Sequence, residues 1–417
     1  MGLTPLAQAN AQLPPPPSLA VKSYMVQDFN SGHVIASQNA KMRVEPASLT
    51  KIMTAYLSFK ALKNGHLQLS QTLPVSEKAW KIEGSKMFIE PNKPVTVDEL
   101  LHGMIVVSGN DASIALAEGI ASSEEFFADM MNKEAQRLGM KNTHFANATG
   151  LPNPQHYSTA EDLAILANAL IRDFPQEYHR LYSIKEYTYP VPPNLEDTPV
   201  CEKTRAIEKS ACYKNETAFQ PNVCKAARVA VSDACAKGGA GITQPNRNRL
   251  LWLDPYVDGM KTGHTESAGY CLISSAKRDN TRRISVVLGA PNDAARATES
   301  QKLLNYSFQF FDSTQVYKKG QPVNRLKVWK GSENLLSSTV ADDVYLTLPK
   351  GAYANVKAVI SSTQPLIAPI KKGQAVGTVK FMLDGKVIGQ HTLVAAKTVE
   401  TAGILGRAWD SIKLLLQ

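Results

Sequence analysis

The spacing of hydrophobic residues predicts several helices in the first part of the chain. An amphipathic helix is expected from about Ala47 in EPASLTKIMTAYLSFKALKNG, ending at Gly65, a residue type suited to a helix C-terminus. The run VDELLHGMIVVSGNDASIALAEGIA predicts two helices broken at Ser108-Gly109-Asn110. Two more are predicted from SEEFFADMMNKEAQRLG, which ends at Gly139, and from STAEDLAILANALI, which starts with a Ser/Thr cap.

Strand-like patterns occur near the N-terminus and again after residue 250. SYMVQDFNSGHVIASQN predicts a hairpin around Asn30-Ser31-Gly32. YVDGMKTG, SAGYCLISSAK and RRISVVLGA predict an antiparallel meander, on which the helix TESQKLLNYSFQFF would pack. After about residue 315 short strands dominate, with a hairpin around Asp384-Gly385, so we expect a separate β-rich domain there.

Size and composition agree with two or three soluble domains. The chain has 417 residues, of which 43% are hydrophobic and 20% charged, and no apolar run is long enough to span a membrane. The net charge of +9 comes from scattered Lys and Arg residues rather than from a basic block. We therefore expect no nucleic-acid partner, although the charge favours anionic membranes or cell-wall polymers.

Two features suggest an exported protein. Ala9-Asn10-Ala11 resembles the small-residue cleavage site of a secretory signal, although no apolar core precedes it. An even set of cysteines within one polar segment suggests two disulfides of unassigned connectivity and an oxidising compartment; the four are Cys201, Cys212, Cys224 and Cys235. The set contains no C-x-x-C pair, so we expect no metal site. Cys271 is expected to be a buried thiol.

The last 17 residues, TAGILGRAWDSIKLLLQ, predict an amphipathic helix. Its apolar side would carry Ile404, Leu405, Ala408, Trp409, Ile412, Leu415 and Leu416, and its polar side Arg407, Asp410, Ser411 and Lys413. The length and the charges argue against a membrane span. The pattern by itself leaves two alternatives, a helix lying in a membrane interface and a helix docked on its own protein.

Ser48 and Lys51 form an S-x-x-K motif at the start of the first helix. A serine hydroxyl needs a base to become a nucleophile, and a residue three positions later lies on the same helix face. A lysine can be that base only when neutral, which requires its pKa to fall by roughly 3 units from its reference value. We expect partial burial and a second cation, brought from elsewhere in the chain, to produce this shift.

The motif becomes informative through its companions. A second match, Ser274–Lys277, lies at the end of a predicted strand and has no helix start. Ser48–Lys51, by contrast, is followed by Ser108-Gly109-Asn110 at a helix break and by Lys261-Thr262-Gly263 on a strand. Lys261 is the expected second cation.

PASLTKIMT, SGNDA and VDGMKTGHT resemble the three active-site motifs of penicillin-binding proteins. LGMKNTHF, QPNRNRLLW and DDVYLTLPKG are similar to the type-5 D-alanyl-D-alanine carboxypeptidases. The resemblance begins at about residue 20 and covers almost all of the chain. The cysteine-bearing segment departs from the family pattern.

The resemblance implies a catalytic role for each motif. Ser48 would attack the carbonyl between the last two D-alanines of a peptidoglycan stem pentapeptide and form an acyl-enzyme, with Lys51 as its base. Ser108 would relay protons, while Asn110 would hold Lys51 and the substrate amide. The strand bearing Lys261 would complete the cleft.

The same resemblance implies where the substrate lies. Thr262 and Gly263 would line the strand along which it extends, and the backbone N–H groups of Ser48 and His264 would form the oxyanion hole. Arg296 matches the position of the family's carboxylate-binding arginine. Taken alone, Arg296 would be interpreted as a solvated surface residue.

The implied fold class is α/β plus all-β: a penicillin-binding/β-lactamase-like domain, then a small β-rich domain and an amphipathic helix. We expect a signal remnant or linker at 1–20 and a catalytic domain at 21–313, with a cysteine-rich insertion at 191–241. The β-rich domain would occupy 314–398 and a membrane anchor 399–417.

The implied partners are the stem peptide, β-lactam antibiotics that acylate Ser48, and the membrane surface, with no cofactor. The protein would be periplasmic, held on the outer face of a bacterial inner membrane by its last helix. Two alternatives stay open: a serine β-lactamase of the same fold and an inactive wall-binding scaffold. A β-lactamase needs a deacylating glutamate, and Glu161 and Asp162 are better interpreted as first-turn helix acids.

Overall fold

The computed structural model describes residues 13–189, 213–214, 218–219 and 241–415. The four cysteines of the polar segment lie outside these residues, as does most of the predicted insertion at 191–241. The two disulfides therefore stay a prediction. Cys271 is buried, as expected.

Seven helices lie between residues 51 and 181, and further helices follow later in the described part of the chain. They are α1 (Lys51–Lys63), α2 (Glu77–Lys81), α3 (Val97–Ile105), α4 (Asn110–Ala121), α5 (Glu124–Leu138), α6 (Ala160–Asp173), α7 (Pro175–Leu181), α8 (Leu250–Leu253), α9 (Asp293–Phe310) and α10 (Ile404–Leu415). Short 3-10 turns occur at Ala47–Thr50 and Ala352–Asn355.

The strands form one sheet in the first domain, a larger sheet in the second, and several two-stranded ribbons. They are β1 (Ser23–Asp28), β2 (Val34–Gln38), β3 (Thr72–Leu73), β4 (Val95–Thr96), β5 (Glu186–Tyr189), β6 (Tyr213–Lys214), β7 (Ala218–Phe219), β8 (Ile242–Pro245), β9 (Val257–Thr265), β10 (Gly269–Arg278), β11 (Thr281–Ala290), β12 (Phe311–Tyr317), β13 (Pro322–Trp329), β14 (Leu335–Val340), β15 (Val344–Pro349), β16 (Lys357–Ser362), β17 (Leu366–Ile367), β18 (Ala375–Leu383) and β19 (Lys386–Ala395).

The first sheet is antiparallel with the strand order β2-β1-β11-β10-β9, which confirms the predicted hairpin and meander. Alternate residues of β11 point to opposite faces. Val286 and Leu288 join the core formed with α1 and α6, whereas Val287 packs with Leu303 of α9. The sheet therefore lies between the helical subdomain and α9, with β9 at its edge.

The helix α1 differs from its prediction in two ways. It is buried on nearly all sides rather than amphipathic, because other helices and the sheet surround it. Its polar residues are hydrogen-bonded inside the core: Thr54 donates to Ala148 O and Ser58 to Thr54 O. In addition, Ser48 lies in the 3-10 turn before α1 rather than in the first turn of the α-helix.

A buried ion pair joins the two domains. Arg283 of β11 pairs with Asp28 of β1, and both side chains are inaccessible to solvent. Ser313 of β12 donates to Asp28, and its hydroxyl also contacts that of Thr347 of β15 at 2.7 Å, so strands of the second domain complete this polar cluster. A buried pair that loses one partner leaves an uncompensated charge, which gives this junction a strong preference for one arrangement.

The last helix, α10, begins and ends close to the predicted bounds, but little of it contacts the protein. Ile404 and Leu405 are 78% and 87% exposed, and Trp409 is 61% exposed. The carboxylate of Asp410 accepts from the Lys330 backbone N–H at 2.6 Å. The docked alternative is therefore wrong for this apolar face. Within the described residues, no helix is both long and apolar enough to cross a bilayer.

Candidate active site

The turn that carries Ser48 is held from two sides by glycines. A Cβ on Gly150 would lie 1.8 Å from the carbonyl oxygen of Ala47, and one on Gly263 would lie 3.0 Å from Pro46 O. Ala47 itself has a positive φ of 49°. The loop that contains Gly150 and the strand β9 can approach the turn that carries Ser48 this closely only because neither glycine has a side chain.

Lys51 begins α1, and its amine lies inside the protein. The side chain contacts three oxygens: Nζ lies 3.0 Å from Ser48 Oγ, 2.7 Å from Asn110 Oδ1 and 2.7 Å from Thr149 O. The residue is 1% exposed. The expected proximity of Ser48 and Lys51 is therefore present, together with a third neighbour, Thr149, that the sequence did not reveal.

Burial lowers the pKa of Lys51 from 10.5 to about 7. Arg247 acts in the same direction as burial, while Asp111 and Glu124 oppose the shift. The shift matches the size that the sequence argument required, but its cause differs. Loss of solvation is the main factor; Arg247 contributes, and the mutual repulsion between the amines of Lys51 and Lys261 acts in the same direction.

The break between α3 and α4 brings Ser108 and Asn110 to the site. Ser108 has a positive φ of 65° and is buried. Asn110 Nδ2 donates to Glu83 O at 2.6 Å, which identifies Oδ1 as the atom that faces Lys51. The carboxylate of Asp111 accepts from the backbone N–H groups of a neighbouring loop at Met87, Phe88 and Ile89. These hydrogen bonds fix the loop to the N-terminal end of α4.

Lys261 lies on β9, and its side chain extends from the sheet to Ser108. Its Nζ donates to Ser108 Oγ at 2.9 Å and to Thr262 O at 3.1 Å. Burial lowers the pKa of Lys261 well below its usual value, and the positive charges of Lys51, Arg247 and Arg296 act in the same direction. The amines of the two lysines thus contact different serines of the site: Lys51 contacts Ser48, and Lys261 contacts Ser108.

A cleft of about 460 Å³ opens above these groups. Its lining includes predicted site residues from all three motifs: Ser48, Ser108, Thr262, Gly263, His264 and Arg296. A neighbouring cavity of about 320 Å³ adds Asn110, Thr149 and Gly150. His264 is exposed, and its ring lies against that of Tyr270 with centroids 4.0 Å apart.

Arg296 lines the cleft but is not a solvated surface residue. It is 4% exposed; its guanidinium donates to Gly263 O at 3.2 Å and pairs with Asp293. Burial lowers the pKa of Arg296, and Asp293 opposes this effect. The sequence alone would have interpreted Arg296 as solvated, which is wrong, because α9 packs this residue against the end of β9.

Comparisons with known proteins agree with this geometry. A family model described as D-alanyl-D-alanine carboxypeptidase matches residues 9–218 and 220–292, and the C-terminal domain of penicillin-binding protein 5 matches 311–401. D-alanyl-D-alanine carboxypeptidase DacC of Escherichia coli is 38% identical over 98% of this chain and 92% of its own length.

Solved structures give the same result. Penicillin-binding protein 5 from Haemophilus influenzae superposes with a TM-score of 0.78 at 37% identity, covering 93% of this chain and 99% of its own. Penicillin-binding protein D2 from Listeria monocytogenes, in an ampicillin-bound form, superposes with a TM-score of 0.54 at 26% identity, covering 71% of this chain and 100% of its own.

The chain belongs to the D-alanyl-D-alanine carboxypeptidase family. This membership confirms the predicted family, the fold class and a serine-type carboxypeptidase. The β-lactamase and scaffold alternatives find no support among these relatives. The roles of the individual site residues stay predictions.

Sequence reasoning missed several groups of this carboxypeptidase site. Arg247 lines both cavities and lowers the pKa of both buried lysines. The carbonyls of Glu83 and Thr149 fix Asn110 and Lys51. Arg247 lay within the quoted run QPNRNRLLW, where its cationic side chain could have been noted. Backbone carbonyls carry no sequence signal, so the other two were accessible only from the structure.

We expect Gly150→Ala to destabilise the protein far more than Gly65→Ala. Both positions have a positive φ, but a Cβ at Gly65 meets no atom within 4 Å. The control should therefore lose roughly 1–2 kcal/mol of unfolding free energy from backbone strain alone, and Gly150→Ala more than about 4 kcal/mol from the added clash. Denaturant unfolding measures both. Equal losses would show that the turn does not depend on this close contact.

Proposed function

We propose that this carboxypeptidase removes the terminal D-alanine of a peptidoglycan stem pentapeptide through an acyl-enzyme on Ser48. One observation carries the assignment: the buried amine of Lys51 lies 3.0 Å from the hydroxyl of Ser48, and its other two neighbours are carbonyl oxygens. The family membership supports the reaction, and this geometry supports the choice of nucleophile and base.

The neighbours of Lys51 determine which way its lone pair points. A neutral amine has two N–H groups and one lone pair, and a carbonyl oxygen can only accept. Asn110 Oδ1 and Thr149 O therefore take the two N–H groups. Only Ser48 O–H is left to donate to the lone pair. The neutral form of Lys51 is thus aimed at the proton that must leave the nucleophile.

The remaining groups account for the other steps of the reaction. As Ser48 Oγ bonds to the substrate carbonyl carbon, its proton passes to Lys51 Nζ. The N–H groups of Ser48 and His264 would stabilise the oxyanion. When the C–N bond breaks, Ser108 passes a proton to the departing amine of D-alanine and regains one from Lys261, to which it is hydrogen-bonded. Water then hydrolyses the ester.

Substrate binding follows from the edge strand and the cations of the cleft. The peptide would extend along Thr262 and Gly263 of β9, with Asn110 bound to its amide. Its terminal carboxylate would lie near Arg296, with the exposed Arg247 as a second cation on this side. β-Lactams would acylate Ser48 in the same cleft; the ampicillin-bound relative is of the same fold.

We further propose that α10 binds the protein to an anionic membrane surface, with the catalytic domain in the periplasm. The exposed Leu405 and Trp409 would enter the interface, while Arg407 and Lys413 would meet lipid phosphates. The net charge of +9 favours the same surface. A helix this exposed leaves its apolar side in water unless a membrane or another partner covers it.

Replacing the nucleophile tests the main proposal. Ser48→Ala should abolish both D-alanine release from a synthetic pentapeptide and labelling by a fluorescent penicillin, because no other hydroxyl of the described residues is hydrogen-bonded to the Lys51 amine. Ser274→Ala is the matched control, since Ser274 begins the second S-x-x-K match but is buried in β10. Release of D-alanine by the Ser48 variant would overturn the assignment.

The acylation rate should rise with pH and level off above a midpoint near 7. Lys51 is protonated and unable to accept a proton below its pKa of about 7 and is neutral above it, so the rate falls roughly tenfold per pH unit on the acid side. Lys51→Arg should lose about 10²–10⁴-fold at every pH, because guanidinium stays charged. Stopped-flow acylation by fluorescent penicillin measures both. A rate independent of pH across this range argues against Lys51 as base.

Leu405→Glu should weaken binding to anionic vesicles by roughly tenfold or more, the loss expected from withholding one leucine from an apolar phase. Leu335→Glu is the matched control, because Leu335 is 54% exposed but lies on β14. Cosedimentation of the full chain with vesicles measures binding, and D-alanine release from a soluble pentapeptide should be unchanged in both variants. Equal binding by the two variants would exclude α10 as the anchor.

A further inference from the structure

We propose that His156 is a positioning residue for the lysine base, acting through the loop that carries the carbonyl of Thr149. The inference rests on the proposed function, because it assumes that Lys51 deprotonates Ser48. It concerns a side chain that lies outside the three motifs and lines neither cavity that opens onto Ser48.

The loop at 145–151 is organised around a single asparagine. Asn147 Oδ1 accepts from the backbone N–H groups of Thr149 and Gly150, and Nδ2 donates to Leu151 O. These bonds set the direction of the Thr149 carbonyl relative to the rest of the loop. They do not fix the loop to the helix that carries Lys51; Thr54 Oγ1, which donates to Ala148 O at 2.7 Å, and His156 make those connections.

His156 connects the loop to that helix. Its Nε2 lies 2.8 Å from Thr50 Oγ1, and its Nδ1 accepts from the Ala146 N–H at 3.4 Å. Since Nδ1 is an acceptor, the proton is on Nε2, which therefore donates to Thr50. The ring is 3% exposed and meets the ring of Phe145 edge-on. The imidazole of His156 thus links the start of the loop to Thr50, the residue that directly precedes Lys51.

This connection fixes the Thr149 carbonyl against the Lys51 amine. Thr50 directly precedes Lys51 in the chain, and Gly150 packs on Ala47, so the loop meets the nucleophile turn at each end. The Lys51 lone pair faces Ser48 only while both carbonyl acceptors are in place. Without the His156–Thr50 bond, the Thr54–Ala148 bond remains, but the start of the loop is no longer held at the residue before Lys51, so the Thr149 carbonyl can shift and admit water to the amine.

His156 can serve this purpose because it stays uncharged. Burial lowers the pKa of His156 to about 4, and the positive charges of His144 and Lys51 act in the same direction. The neutral ring adds no charge beside the base. Among the described residues, the charged groups that face Lys51 from the packed elements are Asp111, Glu124, Arg247 and Lys261. A change at His156 leaves all four charges present, although Glu124 accepts from the Ala148 N–H of the same loop at 2.9 Å.

Two variants break the same bond from opposite ends. His156→Leu and Thr50→Val should each lower the limiting acylation rate by roughly 10–100-fold, the cost of a small displacement of a catalytic group. They should also move the pH midpoint of acylation upward, because water that reaches the amine favours its protonated form. Binding of penicillin before acylation should change little, and the double variant should be no slower than the slower single variant.

The controls separate positioning from a general structural effect. His156→Gln, whose amide can donate to Thr50, should recover most of the rate and the original midpoint. His144→Leu removes a partly exposed histidine that directly precedes the loop and whose Nδ1 contacts Gln155 O, and it should leave both unchanged. Thr50→Val decides the question if His156→Leu fails to fold.

Slower acylation with an unshifted midpoint, or no change in rate, overturns the role of His156. Such a result leaves the proposed function intact as long as Ser48→Ala abolishes labelling. If Ser48→Ala is still labelled, the proposed function fails instead, whatever the His156 variants show.

Discussion

The architecture of this carboxypeptidase depends on keeping a lysine amine away from water. Burial lowers the pKa of Lys51 to about 7, and two carbonyl oxygens leave Ser48 as the only neighbour that can donate to it. Such an environment is costly for a charged amine, so it persists only where the surrounding elements over-determine it. Helix α1 is accordingly enclosed on nearly all sides.

Three separate parts of the chain supply that enclosure. The α3–α4 break brings Asn110, the loop at 145–151 brings Thr149, and the edge strand β9 brings Lys261. Their close approach depends on Gly150 and Gly263, which have no side chains to separate them from the nucleophile turn. The cleft can therefore be open to a peptide while the amine beneath it is dry.

The second domain and α10 follow different physical constraints. The buried pair of Arg283 and Asp28, completed by Ser313, ties the second domain firmly to the central sheet. In contrast, α10 contributes an exposed apolar side and few contacts. The protein thus combines a catalytic unit with a defined orientation on its β-rich domain and a terminal helix whose apolar side is free to meet a surface.

The sequence by itself determined the local features of this protein: the helices and hairpins, the break at Ser108-Gly109-Asn110 and the order of the three motifs. These follow from periodicity, turn residues and spacing, which are properties of neighbouring positions. Only the tertiary structure decided that α1 is buried all round, that burial is the main cause of the lowered pKa of Lys51, and that the Thr149 carbonyl contacts its amine. Burial and backbone carbonyl contacts arise from segments about 100 residues apart, so no local pattern encodes them.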